Sequence, residues 1–196
     1  DVPTVTDMSS DFLSRPINWS AHDLVYGGAQ KNLGPAGLAV VVVRRDRLSQ
    51  HGRSLASYLD YTTHEASDSM ANTPPMFAIY VMGKVLRWMR AEGGLSIFED
   101  RAAERSSLVY SAVDESNGWY TCPVDEASRS LMNIVFRLPT EELEKRFVAE
   151  ASQAGMVNLK GHRSVGGIRA SVYNALPLAS VHTLIDFMGK FRSANS

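Results

Sequence analysis

The first third of the chain carries three short apolar runs with turn residues between them. Residues 2–6 predict a short buried strand that ends at Asp7. Residues 24–26 and 38–43 predict two further strands, because both runs are apolar and border glycine-rich sequence. Four glycines and one lysine, Lys31, lie between these two strands. We therefore predict a tight turn that holds an amine at the end of a sheet.

The next part of the chain predicts connections and one long helix. Residues 44–58 predict a short helix with a connection, and residues 60–70 predict a polar loop. Apolar residues recur every three or four positions over 77–89, and two glycines follow at 93–94. This pattern predicts a largely buried helix that ends at the glycines. Thr73 precedes two prolines and has the side-chain chemistry of an N-cap for that helix.

Helices and strands alternate in the last hundred residues. Helical periodicity predicts helices over 95–113 and 140–151, and a closing helix that starts at Pro177. Apolar runs predict strands at 130–138, 156–159 and 168–173. With a boundary at the glycine pair, residues 94–196 form a small α+β domain of a typical size.

Composition excludes several classes of protein. The 196 residues are 44% hydrophobic, which is enough for a substantial core. Twenty Lys+Arg against 21 Asp+Glu give a net charge of −1, so no footprint for nucleic acid or an anionic membrane is visible. The longest fully apolar run, residues 76–82, is too short for a membrane span. The single Cys122 excludes an intramolecular disulfide and a cysteine-rich metal site, and we predict no metal.

Two sets of residues are candidates for chemistry, and each has a simpler interpretation. Asp7 falls at the end of a predicted strand, where α/β sheets present ligand-contacting groups, but Asp-Met-Ser-Ser also favours an Asx-turn. Lys31 on its own could be an exposed turn lysine. Basic residues cluster around the glycines at 166–167, and they could clamp an anion or form a solvated turn. The members of this cluster are Lys160, His162, Arg163 and Arg169.

Four ordered stretches resemble the phosphoserine aminotransferase family, which belongs to the class-V aminotransferases of pyridoxal 5′-phosphate (PLP) fold-type I. They are Asp7-Met8-Ser9-Ser10-Asp11-Phe12-Leu13-Ser14, residues 26–37, Asn72-Thr73-Pro74-Pro75, and residues 160–171. The resemblance runs from about residue 3 to the C-terminus but covers only the later part of the family's chain. We therefore expect a segment of comparable size to precede Asp1.

The resemblance implies an α/β fold in two parts. Residues 1–93 would be the later part of the PLP-binding large domain, with a mostly parallel sheet and helices. Residues 94–196 would be the small C-terminal α+β domain. Ala71 and Thr62 depart from the family pattern, which expects an aromatic residue and a lysine at these positions of the loop between subunits.

The resemblance also implies roles for residues at the cofactor. Lys31 would bind PLP covalently and move the α-proton of the substrate, and Asp7 would keep the pyridine nitrogen protonated. Gln30 would bind the cofactor phosphate. Asn72 and Thr73 would reach the cofactor phosphate of the partner subunit, so the family resemblance predicts a homodimer with a shared active site.

The basic cluster would bind the substrate. By resemblance, Arg169 binds the α-carboxylate, and His162 and Arg163 bind the substrate phosphate from across the dimer. The implied reaction transfers an amino group between glutamate and 3-phosphohydroxypyruvate in the cytoplasm and yields phosphoserine for serine biosynthesis. The resemblance also allows a second reaction, the phosphohydroxythreonine step of pyridoxine biosynthesis.

Two alternatives remain at this point. A related class-V aminotransferase with another substrate, such as an alanine–glyoxylate type, would share Gln30-Lys31 but should lack the phosphate-directed His162-Arg163 pair. The chain by itself could also be an inactive fragment that acts only as a folding or dimerisation unit.

Overall fold

The computed structural model describes residues 2–48 and 54–196, and the chain divides into two compact units, Asp1–Gly94 and Leu95–Ser196. The strands are β1 (Val5–Asp7), β2 (Leu24–Gly28), β3 (Ala39–Val43), β4 (Asn133–Phe136) and β5 (Ile168–Ser171). The helices are α1 (Tyr61–Ala66), α2 (Met76–Ala91), α3 (Leu95–Asp114), α4 (Glu141–Gln153) and α5 (Leu178–Asn195). Across the described residues, no helix combines the length and the hydropathy that a membrane crossing requires.

The sheet of the first unit has the order β1-β2-β3 in the described residues. Strands β1 and β2 are parallel, with Asp7 opposite Tyr26, and β2 and β3 form an antiparallel hairpin. The two strands on either side of Lys31 and the turn between them are as predicted. The prediction of a buried strand over 2–6 is wrong, because β1 is short and Val5 is 60% exposed on the edge of the described sheet.

A small core lies beneath the hairpin. It consists of Met8, Phe12, Val25, Ala29 and Leu33. Phe12 packs directly on the backbone of Gly27, since a Cβ at that position would lie 2.6 Å from Phe12 Cδ2. This core fixes the segment that follows Asp7 against the strand that precedes Lys31.

Two predictions about the connections of the first unit need correction. The predicted polar loop over 60–70 contains helix α1, because the Asp60 carboxylate caps it by accepting from the Thr62 backbone N–H at 2.9 Å. Within the predicted segment 44–58, short 3-10 turns occur at Arg45–Arg47 and Ser57–Leu59, while residues 49–53 lie outside the described part.

Helix α2 ends near the glycine pair as predicted, but it differs in its start and burial. Its N-cap position is Pro75, without a side-chain cap bond, so the prediction that Thr73 is the N-cap is wrong. The chain turns into the helix at the second proline. The buried residues of α2 in the described chain are Ala78 and Met89, whereas Phe77 is 75% exposed. The apolar stripe is therefore largely uncovered here rather than buried.

The second unit packs helices against the antiparallel pair β4–β5, in which Val135 lies opposite Arg169. Aromatic rings fill its core, and Phe147 meets Phe136 edge-on at 5.9 Å between centroids. Thr140, at the predicted start of this helix, caps α4 by accepting from Leu143 N–H at 3.2 Å. The helices predicted over 95–113 and from Pro177 are confirmed as α3 and α5.

The strand predicted over 156–159 is absent from the described residues. Asn158 has a φ of 63°, which is left-handed and breaks an extended run. Lys160 instead forms an isolated antiparallel bridge with Ile168. The reversal around the glycines at 166–167 is therefore a loop leading into β5 rather than a strand-to-strand hairpin.

Candidate active site

Asp7 ends β1 and is held in its ionised form. Its Oδ1 accepts hydrogen bonds from the Ser9 backbone N–H at 2.8 Å and from Ser9 Oγ at 2.6 Å. These two bonds, together with the positive charge of Lys31, lower the pKa of the Asp7 carboxyl below its ordinary value. The Asx-turn of the simpler interpretation is thus present, and it stabilises the charge that the resemblance requires.

The turn that carries Lys31 is hydrogen-bonded to the segment after Asp7. The Ser9 hydroxyl accepts from the Gly28 backbone N–H at 3.1 Å, and Lys31 Nζ donates to Ser10 Oγ at 3.0 Å. The buried Asn32 amide donates to the Ser10 and Phe12 carbonyl oxygens at 3.1 and 3.0 Å. The adjacent residues Ser9 and Ser10 therefore bond to the carboxylate and to the amine, respectively, and we call these four residues the Asp7–Lys31 network.

Ser9, Ser10 and Asn32 were not predicted as site residues, although all three lie in stretches that match the family. Their types carry no signal of their own, since serine and asparagine are common in turns. The one available signal was the matched run Asp7-Met8-Ser9-Ser10. Only the parallel pairing of β1 with β2 brings this run beside the Lys31 turn.

The predicted phosphate-binding residues of the first unit are exposed. The Gln30 side chain lies against Gly28, because a Cβ added at Gly28 would collide with the Gln30 side-chain amide. Asn72 and Thr73 precede α2, and Asn72 Nδ2 donates to the Thr73 carbonyl oxygen at 3.2 Å. Among the described residues, no hydrogen bond links Asn72 or Thr73 to the Asp7–Lys31 network.

The basic loop, which we define as residues 160–167, belongs to the second unit. Gly161 N–H donates to the Gly167 carbonyl at 2.8 Å, and Gly166 N–H donates to the His162 carbonyl at 2.8 Å. His162 Nδ1 accepts from the Ser164 backbone N–H at 3.3 Å, so a neutral imidazole carries its proton on Nε2. The loop presents His162 and Arg163 as exposed hydrogen-bond donors.

Arg169 lies on β5 and is half-buried. Its Nε is buried without a hydrogen-bond partner, and no carboxylate of the described residues forms an ion pair with its guanidinium. An unpaired guanidinium of this kind favours an external carboxylate, which it can bind through two parallel hydrogen bonds.

The described ranges 2–48 and 54–196 contain no group of three histidine, cysteine, aspartate or glutamate side chains that could hold a metal ion.

Comparisons with known proteins agree on one family. A family model described as aminotransferase class-V matches residues 1–184. The phosphoserine aminotransferase of Laribacter hongkongensis is 53% identical over 190 residues, which are 97% of this chain and 53% of that protein. The chain therefore spans about half the length of the curated relatives that it matches.

Solved structures give the same result. The phosphoserine aminotransferase from Bacillus circulans subsp. alkalophilus superimposes with a TM-score of 0.95 at 49% identity, covering 100% of this chain and 54% of that one. A PLP-bound phosphoserine aminotransferase from Trichomonas vaginalis has a TM-score of 0.90 at 37% identity and covers 96% of this chain and 55% of that one.

Proposed function

Because the chain belongs to the class-V aminotransferase family, we propose that it forms the later part of a PLP-dependent phosphoserine aminotransferase. The predicted family and fold class are confirmed. The proposed reaction transfers an amino group between glutamate and 3-phosphohydroxypyruvate, giving phosphoserine and 2-oxoglutarate in the cytoplasm. Residues 1–93 would contribute the later part of the large domain, and residues 94–196 the small domain.

The observation that carries this proposal is that Ser9 bonds to the Asp7 carboxylate and Ser10 to the Lys31 amine. Bound PLP supplies a protonated pyridine ring that withdraws electrons from the substrate carbon that loses its proton. An ionised carboxylate suits that ring nitrogen, and the two bonds from Ser9 keep Asp7 ionised. The chain thus fits the cofactor by the chemistry of its donor set.

Lys31 would both hold the cofactor and move a proton. Its Nζ reaches Ser10 Oγ at 3.0 Å, so the amine has a fixed neighbour at the end of the hairpin turn. With PLP bound, the same amine would move the proton of the substrate Cα. Gln30, beside it, would donate its amide N–H to the cofactor phosphate.

The second unit would recognise the substrate. Arg169, with its buried and unpartnered Nε, would bind the α-carboxylate that every amino-acid substrate carries. His162 and Arg163 on the basic loop would bind the phosphate. The His162 tautomer fixed by Ser164 leaves Nε2–H as a donor, which suits a phosphate oxygen.

A second copy of the chain would complete the site. Met76 and Phe77, in the first turn of α2, are 74% and 75% exposed, and Tyr80 in the next turn is 58% exposed. A contiguous apolar surface of this kind marks a protein interface. Asn72 and Thr73 directly precede it, so a partner that covers α2 would bring them to its own cofactor phosphate.

The test is to trap the cofactor on its lysine. For every assay we define the reconstituted enzyme as this chain combined with the part of the Laribacter hongkongensis relative that it does not span, loaded with PLP. Borohydride should attach a phosphopyridoxyl group to Lys31, detectable by peptide mass spectrometry. Lys31→Ala should abolish the adduct and turnover, whereas Lys145→Ala, an exposed lysine on α4, should retain both. An adduct on another lysine would refute the assignment.

A further inference from the structure

Arg137 connects the basic loop to helix α4. It follows β4 directly, and its guanidinium reaches in two directions. Nη1 donates to the Val165 carbonyl oxygen at 3.0 Å, while Nε donates to Glu144 Oε1 at 2.5 Å. One side chain therefore joins the middle of the loop to a regular element.

Glu144 is a rigid anchor for this contact. It lies in the first turn of α4 and is 7% exposed. Its Oε1 also accepts from the Leu138 backbone N–H at 3.4 Å, and its own N–H donates to the Thr140 carbonyl at 3.1 Å. A buried carboxylate paired in this way holds the guanidinium in one orientation.

The aliphatic stem of Arg137 also packs on the end of the loop. A Cβ at Gly167 would lie 2.6 Å from Arg137 Cδ, and one at Gly166 would lie 3.5 Å from Arg137 Nη1. Both glycines have left-handed φ angles, 70° and 76°. The loop can approach the stem this closely because glycine occupies these two positions.

The residues proposed to bind phosphate have no comparable support of their own. His162 bonds to Ser164 within the loop, and Arg163 makes no hydrogen bond or ion pair with the described residues. We propose that Arg137 is a positioning residue that holds the basic loop, and with it His162 and Arg163, in place for the phosphate of the substrate. This proposal rests on the proposed function of the loop.

The first readout is loop order, which needs no turnover. Hydrogen–deuterium exchange in the reconstituted enzyme should be faster at the Gly161 and Gly166 amides in Arg137→Met than in the unmodified protein. Arg146→Met is the matched control, because it removes an exposed arginine whose 3.3 Å ion pair with Glu150 lies elsewhere on α4. Unchanged exchange in Arg137→Met would overturn the proposal.

The second readout separates positioning from general damage. Arg137→Met should lower kcat/KM for phosphoserine by about tenfold, mainly through KM, and leave the glutamate half-reaction within about twofold. Arg137→Lys, which cannot make both bonds at once, should lose about threefold. Equal losses with both substrates, or none with phosphoserine, would overturn the proposal.

Arg163→Ala distinguishes this inference from the proposed function. If Arg163→Ala does not impair phosphoserine selectively, the phosphate role of the loop is wrong. If it does, adding Arg137→Met to Arg163→Ala should cost less than Arg137→Met costs by itself, because one of the two phosphate contacts that Arg137 positions is already lost. Fully additive losses would mean that Arg137 acts elsewhere.

Discussion

Replacing Gly27 by alanine tests the packing that holds the site together. Gly27 lies in β2 beneath the ring of Phe12, and a Cβ there would come within 2.6 and 2.8 Å of two ring carbons and 3.0 Å of Ser9 Cα. Carbon atoms in contact are normally about 3.5–4.0 Å apart. Phe12 is 5% exposed, so its ring has little room to move. The added methyl must displace the segment that carries Ser9 and Ser10.

The magnitude follows from two opposing effects. Overpacking of this kind costs about 1–3 kcal/mol. Alanine also restricts the unfolded chain, which offsets about 0.4–1 kcal/mol where the backbone angles are compatible. The mid-values of these two effects differ by about 1.3 kcal/mol, so we expect Gly27→Ala to lower the free energy of unfolding of the first unit by roughly that amount. For a domain of this size, each kcal/mol shifts Tm by about 4–8 °C.

The assay is urea unfolding monitored by hydrogen–deuterium exchange of peptides from the first unit. Reading these peptides alone distinguishes the unfolding of this unit from that of the second. Gly83→Ala in α2 is the matched control, since its Cβ meets its nearest neighbour at 3.7 Å and should stabilise by about 0.5–1 kcal/mol. Phe12→Leu should relieve part of the loss in Gly27→Ala. If Gly27→Ala is as stable as Gly83→Ala, the Phe12 contact does not constrain the site.

Three further predictions concern charge, substrate and assembly. In a ¹³C NMR titration, Ser9→Ala should raise the pKa of Asp7 toward its usual value, whereas the control Ser20→Ala should leave it unchanged. Because folding lowers the pKa of Asp7, the stability that its charge contributes is present above about pH 4 and is lost as the pH falls below that value. Arg169→Ala should impair both half-reactions, because every amino-acid substrate carries an α-carboxylate. Arg163→Ala should lower kcat/KM for phosphoserine more than for serine, by about 1.5–3 kcal/mol or roughly ten- to a hundredfold. Equal losses with both substrates would contradict this prediction. Phe77→Glu should shift the reconstituted enzyme from dimer to monomer in sedimentation velocity, while Val157→Glu, at a similarly exposed apolar position, should leave it unchanged.

Regular elements with strong local signals were predictable. The strands and the turn around Lys31 and the helices α2 to α5 follow from periodicity and turn chemistry, which act over a few neighbouring residues. The predictions failed where a single local feature outweighed composition. Asp60 starts a helix inside a polar segment, and the left-handed Asn158 ends an apolar run that looked like a strand.

The family and the fold class could be inferred from the amino-acid sequence, because four ordered motifs are specific even when each residue type is common. The same motifs pointed to Lys31 and Asp7 as candidates, which remain predictions. The neutral residues beside these candidates depend on strand pairing: Ser9 and Ser10 meet the Lys31 turn through the parallel pairing of β1 with β2. The same holds for the contact of Arg137 with the basic loop, since hydrogen bonds between distant segments depend on how strands pair and leave no periodic trace along the chain.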